Sequence, residues 1–122
     1  MTTDKPLFVL LVEDDPAIRE ISAMILEDAG MTVHTVSSGD DAERWFEKRK
    51  PDELLPDVLF TDVRMPGTIS GQDLATRHSD MNVLVTSGEA KEQHAWLQAN
   101  MGYLAKPYDR KALLAALRDV AA

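Results

Sequence analysis

The sequence predicts an α/β domain, a three-layer sandwich built on a doubly wound, five-stranded parallel sheet in the order 2-1-3-4-5. Three observations carry that expectation. Short apolar runs alternate with amphipathic stretches along nearly the whole chain, the pattern of a parallel sheet covered by helices on both faces. The runs are too short to be helices. Four of them are closed by a polar residue, Asp14, Asp62, Ser87 or Lys106. Those groups would converge on the carboxyl edge of the sheet, where open α/β sheets bind ligands.

Residues 7–12 form the first strand, an apolar run rich in Leu and Val. Pro16 suits the first turn of a helix, and apolar residues then recur at helical spacing from Ala17 to Ala29, before the stop signal of Gly30. Thr32–Val36 alternates as a second, edge strand. Ser37-Ser38-Gly39 turns the chain into a helix over 40–49 that ends before Pro51. The segment KRKPDELLPD is a loop, and 58–61 the third strand. MPGTISG is a second loop, followed by a brief helix around 71–78. NVLVT is the fourth strand, 90–99 a fourth helix, and Tyr103–Ala105 a short fifth strand. Asp109 opens a final helix that runs to about Val120.

A chain of 122 residues, 44% of them hydrophobic, suits one domain, 1–122, with its own core and no output domain. A net charge of −8 argues against direct DNA binding or a membrane surface, both of which want a basic face. With no cysteine, disulfides, thiolate metal sites and cysteine nucleophiles are excluded. No apolar run nears the roughly 20 residues of a membrane span. MTTDKP lacks the pattern of a signal peptide, so a cytoplasmic location is expected. Met1 and the Val120-Ala121-Ala122 end suggest a complete chain.

Glu13, Asp14 and Asp15 are consecutive acids directly after the first strand. Taken alone they fit a solvated turn with a helix N-cap as well as a site. Asp62 ends another strand, and the topology brings it close to Asp14. Carboxylates held close repel unless a cation lies between them, and a hard divalent ion such as Mg²⁺ is the natural partner. Lys106, at the end of a buried strand, could reach a carboxylate or a phosphate oxygen. The peptide between it and Pro107 could be cis or trans. Ser87 either caps a helix or offers a hydroxyl to the pocket. A carboxylate nucleophile toward phosphorus, with metal, ammonium and hydroxyl around the phosphoryl oxygens, is the chemistry this set suits.

The motifs VEDD at 12–15, TDVRMPG at 61–67, VTSGEA at 85–90 and YLAKPYD at 103–109 resemble those of response-regulator receiver domains of bacterial two-component signalling, with a flavodoxin-like, CheY-like fold, over residues 7–120. The resemblance implies that Asp62 is the phospho-acceptor. Asp14 would bind Mg²⁺ directly, Glu13 through water, and the Arg64 backbone carbonyl would be a further ligand. Ser87 and Tyr103 would form the switch, and Lys106 would pair with the acceptor and then with its phosphate. The phosphoryl donor would be a sensor histidine kinase or a histidine phosphotransferase. The output would pass to another, unspecified protein through the fourth-helix, fifth-strand face, or the domain would be a phosphate sink. Monomer or weak dimer is expected, with no catalysis beyond its own phosphorylation and autodephosphorylation. MPGTISG is one residue longer than the usual MPxMDG turn, the third helix is shorter, and the PDELLPD loop is longer.

Two further expectations concern side chains around that pocket. Arg64 and Glu89 would overhang its mouth and, as an ion pair, hinder the water that removes phosphate. In the first helix, Ile18, Ser22, Ile25, Leu26 and Ala29 face the sheet, leaving Ala17, Ile21 and Met24 as an outward stripe that could dock a partner. His34, His78 and His94 lack metal-ligand spacing, and Trp45 and Trp96 read as packing or surface residues. Competing functions are a flavodoxin-like cofactor carrier, for which EDDP would repel phosphate, and a phosphatase or mutase, which would want an acid where Arg64 stands. A receiver-like interaction module that is never phosphorylated is the remaining alternative.

Overall fold

The computed structural model describes residues 6–122. The first five residues, part of the stretch read above as lacking a leader, lie outside the described residues. Five parallel strands, β1 Phe8–Val12, β2 Thr32–Val36, β3 Val58–Asp62, β4 Asn82–Ser87 and β5 Met101–Ala105, pair in the order β2-β1-β3-β4-β5, as expected. The register aligns Val12 with Val36 and Thr61, Asp62 with Thr86, and Ser87 with Ala105, so the carboxyl ends finish together. Backbone bonds just past the strands extend that edge: Val63 N–H donates to Thr86 O at 3.0 Å and Lys106 N–H to Ser87 O at 2.8 Å.

Four helices flank the sheet: α1 Pro16–Asp28, α2 Gly39–Lys48, α3 Gly71–Arg77 and α4 Arg110–Ala121. Each begins where a short polar side chain satisfies free backbone N–H groups. Asp15 accepts from Ala17 and Ile18, Ser38 from Asp41, and Asp109 from Ala112; Ser70 and Asp73 form a reciprocal capping box. Gly30, at φ 90°, ends α1 in the left-handed region that favours glycine.

Because successive strand residues point to opposite faces, the core divides in two. Val9, Leu11, Val58, Phe60 and Leu84 pack under α1 and α4 with Leu26, Leu113 and Leu117. Leu10, Val12, Leu59, Val83 and Val85 pack under α2 and α3 with Ala42, Leu74 and Ala75. Among the described residues no helix is long and apolar enough to cross a membrane.

One predicted element is corrected. The expected helix over 90–99 is a single 3₁₀ turn, Lys91–Gln93, followed by turns as far as β5. The reason lies in where the apolar groups fall. Ala90, His94 and Leu97 share a thin stripe at helical spacing, but Trp96, two residues from His94, would point to the opposite side, so a helix here could not bury all three large side chains together. Instead His94 turns inward and is buried, while Trp96 and Leu97 pack against the second core cluster. The face once expected to carry the switch is therefore a loop beside β5 rather than a helix.

Candidate functional site

The floor of the site is an acid pair held by one ammonium. Lys106 Nζ donates to Asp62 Oδ2 at 2.7 Å and to Glu13 Oε1 at 2.9 Å. Glu13 is buried; its second oxygen accepts the Asp15 N–H, and its own N–H bonds the Val36 carbonyl of the neighbouring strand. Burial raises the Glu13 carboxyl above its ordinary range, against the lowering hydrogen bond from Lys106. Burial alone would depress Lys106, but its bonds to Asp62 and Glu13 outweigh this and raise it. The cation at the floor is therefore secure near neutral pH. The peptide between Lys106 and Pro107 is cis.

Asp14 is exposed at the rim. One carboxylate oxygen from each of Glu13, Asp14 and Asp62 can be chosen so that all three lie within 4.8 Å of one another. Three such acids with a single ammonium between two of them leave an uncompensated, oxygen-only donor set, the chemistry that suits a hard divalent cation. Asp62 is fixed from behind. Gly71 approaches so closely that a Cβ there would stand 1.7 Å from the Asp62 carbonyl oxygen, and Gly71 N–H donates to Val63 O at 2.9 Å. Only glycine allows α3 to start against the backbone of β3.

The hydroxyl at the β4 end is Ser87 and not its neighbour. Thr86 Oγ1 turns away and donates to Leu104 O at 2.8 Å, whereas Ser87 Oγ accepts the Glu89 N–H at 3.0 Å and lies 3.2 Å from His94 Nε2. Tyr103, half-buried, directs its hydroxyl to the carbonyls of Glu89 and Ser87, the latter at 3.4 Å. Arg64 and Glu89 form the anticipated pair, bidentate at 2.9 and 2.8 Å, and the guanidinium lowers the Glu89 carboxyl. Beneath this pair opens a cavity of about 360 Å³ that reaches Met65, Gln72 and Trp96.

Ala17, Ile21 and Met24 are exposed on the outer face of α1, as the spacing predicts. Of the three, only Ile21 lines the apolar groove of about 350 Å³ between α1 and the turn after β5, together with Ile18, Ile25, Pro107 and Tyr108. Tyr108 closes the inner wall, its hydroxyl 2.8 Å from Ser22 Oγ.

Sequence reasoning missed two participants. His94, set aside as a scattered histidine, is buried against Ser87, a contact made only by tertiary folding. Asp40, two residues after the N-cap of α2, reads as an ordinary first-turn acid. It accepts from Thr68 Oγ1 at 2.8 Å and from Ile69 N–H at 2.9 Å, clamping the long MPGTISG loop. An unusually long loop facing a helix N-terminus with a spare acid was the available signal.

The sequence matches the response regulator receiver domain over residues 9–118. This chain belongs to that family. Among curated relatives it is 35% identical over 117 residues to the transcriptional regulatory protein FixJ of Azorhizobium caulinodans, covering 90% of this chain and 53% of FixJ. It is 31% identical to the sensor kinase CckA of Brucella abortus, covering 92% of this chain but 12% of that kinase. The chain thus spans about half or less of these relatives. Among solved structures, the chemotaxis response regulator CheY4 of Vibrio cholerae superposes with a TM-score of 0.78 at 26% identity, covering 95% of this chain and 99% of CheY4. A receiver protein of Sinorhizobium medicae reaches 0.83 at 24% identity over 96% of this chain and 95% of its own, which speaks for the fold alone. The receiver is a signalling module of two-component systems rather than an enzyme in the ordinary sense. Receivers of this family work with sensor histidine kinases and generally bind Mg²⁺ at an acidic site.

Proposed function

We propose that Asp62 of this receiver accepts a phosphoryl group from a phosphohistidine on a sensor histidine kinase or histidine phosphotransferase. The observation that carries the proposal is the Lys106 ammonium bridging Asp62 and Glu13 beside the rim acid Asp14. In the transfer, an Asp62 oxygen forms the new P–O bond as the donor's P–N bond breaks, and the imidazole keeps the electron pair and takes up a proton. Lys106 exchanges its bond to the Asp62 carboxylate for one to a phosphoryl oxygen, offsetting charge that no longer resides on the acid. Glu13, Asp14 and Asp62, with the Arg64 carbonyl, would hold Mg²⁺, which supplies further neutralisation of the phosphoryl oxygens.

Ser87 would then turn its hydroxyl to the phosphoryl group, and Tyr103 would move with it, altering the surface made by residues 88–100 and β5 that a downstream protein reads. The chain would signal by that change, alone or within a larger protein, or serve as a phosphate sink. Arg64 and Glu89 would set how long the phosphate lasts. The groove beside Ile21 would receive the donor's histidine-bearing helices.

The test is incubation with acetyl phosphate and Mg²⁺, followed by intact mass. The wild-type protein gains one phosphoryl group and Asp62→Ala gains none. A wild-type protein that gains none, while other receivers in the same buffer do, belongs with the unphosphorylated interaction modules.

A further inference from the structure

The segment joining β4 to β5 is mostly exposed, with Glu89, Trp96 and Leu97 half-buried, yet it buries one polar side chain. Lys91, Glu92, Gln93 and Ala95 face solvent, while His94 retains 5% of its surface. A buried imidazole needs a partner for its ring nitrogens, and the partner is Ser87, 3.2 Å from Nε2. The ring is held in place from several sides. It meets the edge of Trp96 and the tilted face of Tyr103, both at 5.9 Å between centroids. The backbone on which the ring stands is fixed too: the main-chain N–H of His94 donates to Lys91 O at 2.9 Å, and its main-chain carbonyl accepts Leu97 N–H at 3.1 Å.

A serine hydroxyl has one proton to give and two lone pairs to receive with. Ser87 receives the Glu89 N–H at 3.0 Å. If Nε2 carries a proton, it donates to the second lone pair; if it does not, the serine proton goes to Nε2. In either tautomer the hydroxyl is engaged along the 88–100 segment. A turn of the hydroxyl oxygen toward Asp62 would give up the bond to His94, leaving a buried ring nitrogen with Glu89 Oε1 at 3.7 Å.

We propose that His94 is a positioning residue that holds the Ser87 hydroxyl in its resting orientation, so that the contact between Ser87 Oγ and His94 Nε2 sets the threshold for switching. This rests on the reading of Asp62 as acceptor and Ser87 as reporter. The latch occupies the place where a fourth helix was expected, and it ties the reporter to Tyr103 and Trp96 through one ring.

The experiment titrates beryllofluoride, a phosphoryl mimic, with Mg²⁺ into the full chain and measures apparent affinity. His94→Phe keeps the aromatic packing and removes Nε2; affinity rises about threefold to tenfold, the worth of one hydrogen bond. His94→Gln, which can again bond Ser87, returns it toward wild type. In a Ser87→Ala background His94→Phe has no effect. Unchanged affinity in His94→Phe, or an equal effect without Ser87, overturns the latch while leaving the acceptor reading intact. Absence of Asp62-dependent binding by the wild-type protein overturns both. Should the Phe variant misfold, the His94 ring-nitrogen resonances of wild type and Ser87→Ala decide. They differ if the bond exists, and coincident resonances overturn it.

Discussion

The two halves of the sheet's carboxyl edge are held by different forces. On the β1 and β3 side, Glu13 and Asp62 are tied by charge-assisted bonds of 2.9 and 2.7 Å to the ammonium that Lys106 extends across from the end of β5, at a largely buried floor. On the β4 and β5 side, a serine, a tyrosine and a histidine are tied by single hydrogen bonds and ring contacts, under an exposed Arg64–Glu89 pair. The first arrangement is costly to disturb, because separating the ions leaves a charge without its partner. The second can exchange partners at a cost of about 1 kcal/mol per bond. Under the proposed function, phosphoryl chemistry would use the first kind of edge and a readable change of shape the second.

Substitutions on the two halves should therefore differ in size. Lys106→Met, which keeps the stem and removes the ammonium, slows labelling by acetyl phosphate about 10²-fold, the scale of losing one charged donor to developing oxyanions. A rate within a factor of two of wild type would show that the charged floor is dispensable. Ile21→Arg, on the α1 flank of that floor, lowers transfer from the protein's phosphohistidine donor about tenfold, as loss of a docking contact would. Its acetyl phosphate labelling stays unchanged; a loss in both assays would point to damage rather than docking. Arg64→Ala, on the adjustable half, shortens the lifetime of the aspartyl phosphate about twofold to fivefold, the modest scale of an exposed pair. An unaltered decay curve would leave the pair without a role in protecting the phosphate.

The same contrast explains what could be read from the chain. Strand ends, helix caps and the order of the sheet depend on local pattern, and Asp14, Asp62, Ser87 and Lys106 emerged because each closes an apolar run. The Arg64–Glu89 pair followed from their positions two residues beyond two adjacent strand ends. The 90–99 segment favours a helix locally through its Ala, Glu, Lys and Gln residues, but a helix there could not turn His94 and Trp96 inward together. Propensity alone stabilises an isolated turn too little to decide the matter. His94 and Asp40 were illegible for another reason: each gains its meaning from a partner supplied by a separate element.

The close approach of Gly71 to the Asp62 carbonyl has a mechanical consequence. β3 ends against an abutment, because α3 starts directly on its backbone. The loop leading into α3 is itself moored to α2 through Asp40. A displacement of Asp62 in that direction would meet packed backbone. The helix-free span between β4 and β5 has no such abutment, so under the proposed function the fold would work as a lever with one fixed arm and one free arm.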